Sequence, residues 1–312
     1  MKIEDLHYDL LSAVTDDNNW DIETWRKDFP MDYLKAIYIL NMATNGIVQS
    51  EVFKAIYRIT RLHIPNTLYK YYSLSNDDAL NRKKFETLSK QQIYMSAIED
   101  FNDPFDSKCF FYDPHQLSDI TRLKRHGGKL IDDFSSYIRG TALTETGFQS
   151  LPMWAHYSNN HAGFCVAYNM DENIPLKGCT FPVQYVEERL DITSFMKKWA
   201  TQLCEKIDHN VSAGIKQTLI DDLSIVYIPL LLCNLKLSQW SYEKEYRCTT
   251  ASNAKGMPYI EAKPKAIYIG AKCSVQHSKE LIKIAQSLKK PVYKMSVDET
   301  NPSCELNSSL IQ

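Results

Sequence analysis

A chain of 312 residues with 44% apolar and 24% charged residues can bury a large core and has a globular composition. Its net charge of −2 excludes a protein whose overall field attracts nucleic acid or anionic lipid. Eight scattered cysteines, with no Cys-x-x-Cys pair, favour reduced thiols in a cytoplasmic protein over disulfides or structural zinc. The most apolar stretch, residues 225–235, is too short to span a bilayer, and the N-terminus has no signal-peptide pattern, so no membrane association is expected.

Residues 1–62 are predicted to be helical. Apolar side chains recur at helical spacing after Pro30, which suits a first helical turn, and again after Ser50, which could cap a second helix. We interpret this segment as a small helical cap or adaptor. Ordinary helices of the following domain are an equally good interpretation.

From residue 63 onward, short strands and helices follow each other irregularly. Strands are predicted at residues 67–73, 93–96, 163–168, 183–186, 245–250, 258–262, 266–269 and 291–296. Helices are predicted at residues 75–91, 152–158 and 277–289, with two long ones over roughly 192–235 and a further helical stretch ending near Arg139. Because no regular βαβ alternation occurs, residues 63–298 favour an α+β domain with a mixed or mainly antiparallel sheet and flanking helices. Residues 299–312 are expected to form a flexible tail.

Four segments combine polar, aromatic and charged residues where a plain strand would alternate. They are residues 68–73 (Leu-Tyr-Lys-Tyr-Tyr-Ser), 101–106 (Phe-Asn-Asp-Pro-Phe-Asp), 153–164 (with Trp-x-x-Tyr-x-x-x-His-x-Gly-Phe) and 236–247 (with Trp-x-x-Glu-x-Glu-x-Arg). As a set, and in this order, they resemble the bacterial family known as domain of unknown function 2971. The resemblance covers roughly residues 66–270.

The order of these motifs is similar to the ADP-ribosyltransferase fold. In that fold an early strand holds NAD, a middle unit supplies an aromatic ring that stacks on nicotinamide, and a late strand supplies a glutamate that stabilises positive charge on the ribose. The resemblance assigns dinucleotide binding to Lys70, Tyr71, Trp154, Glu243 and Arg247, and catalysis to Glu245, Tyr157 and His156. It implies NAD as a substrate without a metal, a small-molecule dinucleotide or a modified macromolecule as partner, and a role in bacterial defence or as a toxin. The chain departs from the pattern where Lys70 replaces an early His or Arg, and it has no Ser-Thr-Ser triplet.

The fourth motif is the most specific. Glu243 and Glu245 are two positions apart, so on a strand both would point to one face, together with Arg247. The arginine could bind a pyrophosphate or hold a carboxylate in place. Such alternating charge indicates either a solvated edge or a site, and the neighbouring Trp240 favours a site.

Two other functions fit the same residues. Asp103 or Asp106 could join Glu243 and Glu245 around Mg²⁺, with Lys236 or Lys244 nearby, as in a nuclease whose substrate is nucleic acid. Alternatively, the motifs are structural parts of an interaction or sensor module. Tyrosine-rich strands, Asn-Asp-Pro turns and tryptophans commonly serve as core, backbone caps and packing anchors.

Overall fold

The structure is a computed structural model, and it describes residues 21–42, 46–101, 103, 105–106, 108–129, 138–216, 224–251, 258–299, 302 and 305–311. The helices in these ranges are α1 (Ile22–Asp28), α2 (Tyr33–Met42), α3 (Gly46–Leu62), α4 (Asp78–Ser89), α5 (Pro114–Leu117), α6 (Thr121–Lys124), α7 (Leu151–Tyr157), α8 (Ile174–Cys179), α9 (Thr193–Ser212), α10 (Ser224–Leu232) and α11 (Val275–Leu288). None of them is long and apolar enough to cross a membrane.

The strands in the same ranges are β1 (Thr67–Tyr72), β2 (Gln92–Tyr94), β3 (Ser96–Ala97), β4 (Phe110–Phe111), β5 (Ile138–Thr144), β6 (Phe164–Asn169), β7 (Thr180–Pro182), β8 (Gln184–Val186), β9 (Leu190–Asp191), β10 (Leu235–Leu237), β11 (Glu245–Ala251), β12 (Tyr259–Glu261), β13 (Pro264–Ile269), β14 (Val292–Val297) and β15 (Leu306–Leu310). Most of them form one sheet in the order β15-β14-β13-β6-β1-β5-β11-β7, with β3 beside β5. Its described strand pairs are antiparallel except β13 with β14. The predicted α+β class with a mixed, mainly antiparallel sheet is therefore confirmed.

The sheet consists of two well-paired blocks. Strand β1 pairs with β6 along all of residues 67–72, and β5 pairs with β11 along all of residues 138–144. Between β1 and β5, however, the register contains the single pair Tyr69–Thr144. We call this boundary between β1 and β5 the seam. Because the strands do not pair beyond Tyr69 and Thr144, space remains between residues 70–72 and 141–143.

Strand β6 forms the centre of the first block. Its residues 164–168 are at most 1% exposed, which explains the continuous apolar run Phe-Cys-Val-Ala-Tyr. One core lies under helices α4 and α11, and a smaller one on the opposite face contains Trp154 and Tyr268. Strand β6 therefore holds β1, and with it one side of the seam, between two packed layers.

The described N-terminal helices belong to a third core. Tyr33 and Val52 pack in one cluster with Phe195 of α9 and Leu231 of α10. The hydroxyl of Tyr33 also donates a 2.7 Å hydrogen bond to the carbonyl oxygen of Pro182 in β7. These contacts favour ordinary helices of the same domain over a separate cap or adaptor. Residues 1–20 lie outside the described residues.

Three local predictions were wrong. Arg139 and Gly140, where a helical stretch was expected to end, lie in the central strand β5, and a Cβ on Gly140 would lie 3.3 Å from the carbonyl oxygen of Cys248. Residues 130–137 lie outside the described residues. Gly140 interrupts the apolar alternation that would have indicated a strand. Helix α3 begins at Gly46, upstream of Ser50. Within the expected tail, residues 306–310 pair with β14 as an edge strand.

Candidate functional site

A small cavity opens at the seam, and all four sequence motifs contribute to its wall. Its lining residues are Tyr69, Lys70 and Tyr71 of the first motif, Phe101 and Asp106 of the second, Met153 and Tyr157 of the third, Lys236, Glu243 and Glu245 of the fourth, and Ala142, Leu143 and Thr144 of β5. Its volume is about 80 Å³, against about 10–15 Å³ for one water molecule. The sequence motifs therefore do converge, but the contribution of β5 was missed with the strand itself.

Lys236 is the centre of a buried charge cluster at the cavity. Its Nζ donates hydrogen bonds of 2.6 Å to Oε2 of Glu243 and 2.7 Å to Oε2 of Glu245. It also lies 3.8 Å from Oδ2 of Asp106. All four side chains are at most 4% exposed. Burial of so many charges is tolerable only because each carboxylate has a cationic partner.

Arg247 completes the cluster from behind. Its guanidinium donates to Oε1 of Glu245 through Nε at 2.8 Å, to the carbonyl oxygen of Cys233 through Nη1 at 2.6 Å, and to Asp106 through Nη2. The side chain is fully buried and does not line the cavity. Of its two predicted roles, the structure shows the holding of carboxylates.

Glu243 and Glu245 both bind Lys236, but they lie on two different secondary-structure elements and not on one strand. Glu243 ends a short 3-10 helix at residues 238–243, and the next residue, Lys244, has a left-handed φ of 44°. Strand β11 starts only at Glu245. The idea that both glutamates share a strand face was therefore wrong, although both side chains meet at Lys236.

The two glutamates have opposite pKa shifts. Burial alone would raise the pKa of Glu245, but the adjacent Arg247 and Lys236 lower it to about 2. Burial raises the pKa of Glu243, with Lys236 only partly opposing the effect. Burial likewise raises the pKa of Asp106 against the opposing charge of Arg247. Glu245 is thus a permanent negative charge, whereas Glu243 can more readily take up a proton.

Tyr157 connects the cluster to the cavity. Its hydroxyl donates a hydrogen bond to Oε1 of Glu243, the oxygen that Lys236 does not use. The tyrosine lies at the last position of α7, whose start is favoured by Pro152 in the first turn. Tyr157 is therefore placed by a regular helix where it can contact both Glu243 and a molecule in the cavity.

Lys70 and Tyr71 lie at the mouth of the cavity on β1. The Nζ of Lys70 donates a 3.3 Å hydrogen bond to the carbonyl oxygen of Ala142 across the seam. Burial lowers the pKa of Lys70 to about 8, although Glu245 opposes the shift. Tyr71 donates a 2.5 Å hydrogen bond to the carbonyl oxygen of Gly147 and is 8% exposed. Both side chains line the cavity, and their role in binding a dinucleotide stays a prediction.

Besides Arg247, two predicted site residues do not line the cavity. Trp154 is completely buried, and its indole N–H donates a 2.7 Å hydrogen bond to the carbonyl oxygen of Phe148. Because its ring packs edge-on against Tyr71, it anchors the core and cannot stack on a ligand. His156 is exposed on α7, with its ring 6.5 Å from that of Tyr157. The predicted stacking and catalytic roles of these two residues are not supported.

The His-x-Gly part of the third motif forms a turn. Asn159, Asn160 and His161 all have positive φ values, between 51° and 69°. At Gly163, a Cβ would lie 1.9 Å from the carbonyl oxygen of Tyr72, so only glycine allows this close approach. This part of the motif connects α7 to β6 and is structural.

The second motif divides in the same way. Asp103 accepts a 2.9 Å hydrogen bond from the backbone N–H of Phe105, as expected of a turn cap, whereas Asp106 joins the charge cluster. Asn102 and Pro104 lie outside the described residues. Among the described residues, no group of three or more His, Cys, Asp or Glu could hold a metal ion. The carboxylates that the nuclease hypothesis requires do meet, but around Lys236 and Arg247.

A larger groove of about 820 Å³ adjoins the cavity. The two spaces share the side chains Lys70, Tyr71, Phe101, Ala142 and Tyr157. Further along, the groove is lined by residues of α4, β2 and β12 that the sequence motifs do not include. A molecule in the groove can therefore extend past Lys70 and Tyr157 into the cavity.

The cysteines that the structure describes are free, and most are buried, as the sequence predicted. Cys179 and Cys204 are partly exposed. Cys304 lies outside the described residues.

Comparison with known proteins confirms part of the family resemblance. Residues 153–248 match the model of a family described as "Protein of unknown function (DUF2971)". This range contains the whole third and fourth motifs, including Tyr157, Lys236, Glu243 and Glu245. No curated protein and no solved structure matches the chain significantly.

Proposed function

We propose that this chain, which resembles the DUF2971 family over residues 153–248, cleaves NAD and transfers its ADP-ribose to a nucleophile. The observation that supports the proposal most directly is the pair Glu243 and Glu245 at one cavity, with pKa values shifted in opposite directions. Two carboxyl groups whose environments separate their pKa values can take different roles in one reaction.

The reaction requires two such roles. The bond between ribose C1′ and the nicotinamide nitrogen breaks, and its electron pair leaves with nicotinamide, so positive charge develops on the ribose. A lone pair of the nucleophile then forms the new bond to C1′, and the proton of the nucleophile is released. In the proposal, Glu245 stabilises the positive charge because its low pKa keeps it ionised. Glu243, whose pKa is raised, accepts the proton through its contact with Tyr157.

The proposal places the reacting end of the dinucleotide in the cavity. Lys70 and Tyr71 at the mouth would bind it, as the sequence suggested, while Arg247 acts through Glu245. Trp154 has no direct part because its ring is fully buried. An NAD-cleaving enzyme harms its own cell unless it is regulated, so the activity would suit a cytoplasmic effector of bacterial defence or a toxin.

The test uses purified protein with NAD labelled separately in the nicotinamide and adenylate parts. We expect release of labelled nicotinamide, together with adenylate label either free as ADP-ribose or retained on a macromolecule. Glu245→Gln should reduce this release about a hundredfold or more, because a well-placed electrostatic group is lost. Intact NAD after prolonged incubation with wild-type protein and a macromolecular acceptor mixture would refute the proposal.

A magnesium-dependent nuclease is the second candidate. Asp106, Glu243 and Glu245 each have a carboxylate oxygen within 4 Å of Nζ of Lys236. Lys236 and Arg247 nevertheless bind the carboxylate oxygens that a magnesium ion would use. Nucleic-acid cleavage that requires Mg²⁺ and stops with a chelator would favour this candidate. If the protein cleaves neither NAD nor nucleic acid, a binding module would be favoured.

A further inference from the structure

The groove beside the cavity differs from it in charge. Lys70, Lys83 and Lys84 line the groove, together with the acidic residues Glu86 and Asp100. No carboxylate in the described part of the chain lies within ion-pair distance of the three ammonium groups. The two cations of the charge cluster, Lys236 and Arg247, are by contrast paired with carboxylates. The groove therefore has cationic groups available for an anionic ligand, and one of them, Lys70, also lines the cavity.

Lys84 is the most firmly placed of these lysines. Its Nζ donates a 2.7 Å hydrogen bond to the carbonyl oxygen of Ser73, just beyond the end of β1. A further donation, at 3.2 Å, goes to the Ser73 hydroxyl. These bonds fix the ammonium group over the groove while leaving a third N–H for a ligand. Lys83 is exposed beside it on α4.

Two of the tyrosines that line the groove form a pair. Tyr94 of β2 and Tyr259 of β12 are directly opposite each other in a two-stranded sheet. Their ring centroids are 5.6 Å apart at an interplanar angle of 66°. They remain 49% and 44% exposed, so a face of each ring is accessible from the groove. Exposed aromatic rings next to cationic groups are typical of sites that bind a nucleobase and its phosphates.

We propose that this groove binds the adenosine diphosphate part of a nucleotide, with the base on Tyr94 and Tyr259 and the diphosphate at Lys70, Lys83 and Lys84. The volume of about 820 Å³ lies within the range of about 300–1,000 Å³ for small-molecule sites. Because Lys70 and Tyr157 belong to both spaces, the terminal group attached to the diphosphate would enter the cavity. The inference rests on the proposed function for the identity of that terminal group, but not for the binding of ADP.

The experiment is calorimetric titration of the full-length chain with ADP and with adenosine. We expect wild-type protein to bind ADP saturably and more tightly than adenosine. A Tyr94→Ala/Tyr259→Ala variant should weaken both ligands about tenfold or more, because the rings on which the base stacks are lost. A Lys84→Met variant should weaken ADP about tenfold or more but leave adenosine unchanged, since only ADP carries the phosphates.

Matched controls are Tyr38→Ala and Lys279→Met, two exposed residues that do not line the groove. Both should bind ADP like the wild type, and thermal unfolding should confirm that all variants are folded. Absence of saturable ADP binding, or equal affinity in groove and control variants, would overturn the inference. ADP binding without NAD cleavage would support the ADP site in the groove and reject the proposed reaction. NAD cleavage with unchanged affinities in the groove variants would support the reaction and reject the ADP site.

Discussion

The hydroxyl group of Tyr157 donates a hydrogen bond to Oε1 of Glu243, which joins the third motif to the fourth across 86 positions of the chain. Oε2 of the same glutamate is bound by Lys236. Glu243 therefore has one oxygen fixed by a buried cation and the other by a phenol that lines the cavity. A change in the protonation of Glu243 therefore alters the hydrogen bond that the Tyr157 hydroxyl donates to it.

Tyr157→Phe isolates the role of this hydrogen bond, because the ring is kept and only the hydroxyl is lost. The bond lowers the pKa of Glu243, so its removal should raise that pKa further. In the proposed reaction kcat should fall about ten- to a hundredfold. The acidic limb of the plot of kcat against pH, which reports the deprotonation of Glu243, should move to higher pH. Pre-steady-state and steady-state NAD cleavage across pH would measure both effects. An unchanged rate and profile would contradict the role of Tyr157, while Tyr157→Ala should additionally weaken substrate binding because the ring is lost.

Glu245→Gln should destabilise the fold as well as stop the reaction. The side chain is fully enclosed between Arg247 and Lys236, and loss of one partner from a buried ionic cluster costs about 3–5 kcal/mol. Its pKa of about 2 lies below the ordinary value of 4.5, so its contribution is present above pH 4.5 and is lost as pH falls towards 2. Denaturant unfolding should therefore give free energies of unfolding for the wild type and the variant that approach each other as the pH falls from 4.5 towards 2.

Glu243→Gln is the matched comparison for stability. Because burial raises the pKa of Glu243, ionisation of this residue opposes folding, whereas ionisation of Glu245, whose pKa is lowered, favours it. We expect a smaller loss of unfolding free energy at neutral pH than in Glu245→Gln. Equal losses in the two variants would show that the two glutamates are not electrostatically distinct.

The sequence predicted that the four motifs converge, but not which residue of each motif reaches the cavity. The glutamates, Tyr157 and Lys70 could be recognised because polar and aromatic side chains occurred together outside any simple periodicity. The sequence could not show which of these side chains are buried. Arginine and tryptophan commonly bind ligands, yet Arg247 and Trp154 are completely buried in the fold. Strand β5 was missed because Gly140, required by the close approach of β11, breaks its apolar pattern. Lys84, Tyr94 and Tyr259 belong to no motif and become a group only in the folded chain.

Binding of ADP should depend on pH through Lys70. Burial lowers its pKa to about 8, so the amine is charged below that pH and loses its charge as pH rises through it. ADP affinity should therefore fall about tenfold between pH 7 and pH 9, as expected for one charge-assisted hydrogen bond. Lys70→Met should bind weakly at both pH values, without this step. In the Lys83→Met variant, which lacks an exposed ammonium group but keeps Lys70, ADP affinity should still fall between pH 7 and pH 9. Calorimetry at several pH values would measure this fall, and its loss in Lys83→Met would show that it does not depend on Lys70 alone.

Cys179 should be the most reactive thiol among the described cysteines. A hydrogen bond with Cys248 and the nearby Arg61 lower its pKa to about 7 despite partial burial. Burial raises the pKa of Cys109, Cys165 and Cys273. Brief alkylation at pH 7.5 followed by peptide mass spectrometry should find Cys179 modified first, and Cys179→Ser should abolish the fast phase. Earlier modification of a buried cysteine, or a disulfide in freshly purified protein, would contradict this assignment.

The single register pair at the seam has a consequence for how this protein could diversify. Strands β1 and β5 supply part of the cavity wall, and their outer neighbours pair with them along their full length, so this part of the backbone is held in place before a ligand arrives. The groove, in contrast, is bordered by α4 and the small β2–β12 ladder, which lie outside the main sheet. Substitutions on these two elements can alter which molecules are accepted while every ladder of the main sheet stays intact. Under the proposed function, ligand choice could therefore change through α4 and the β2–β12 ladder while the charge cluster stays the same.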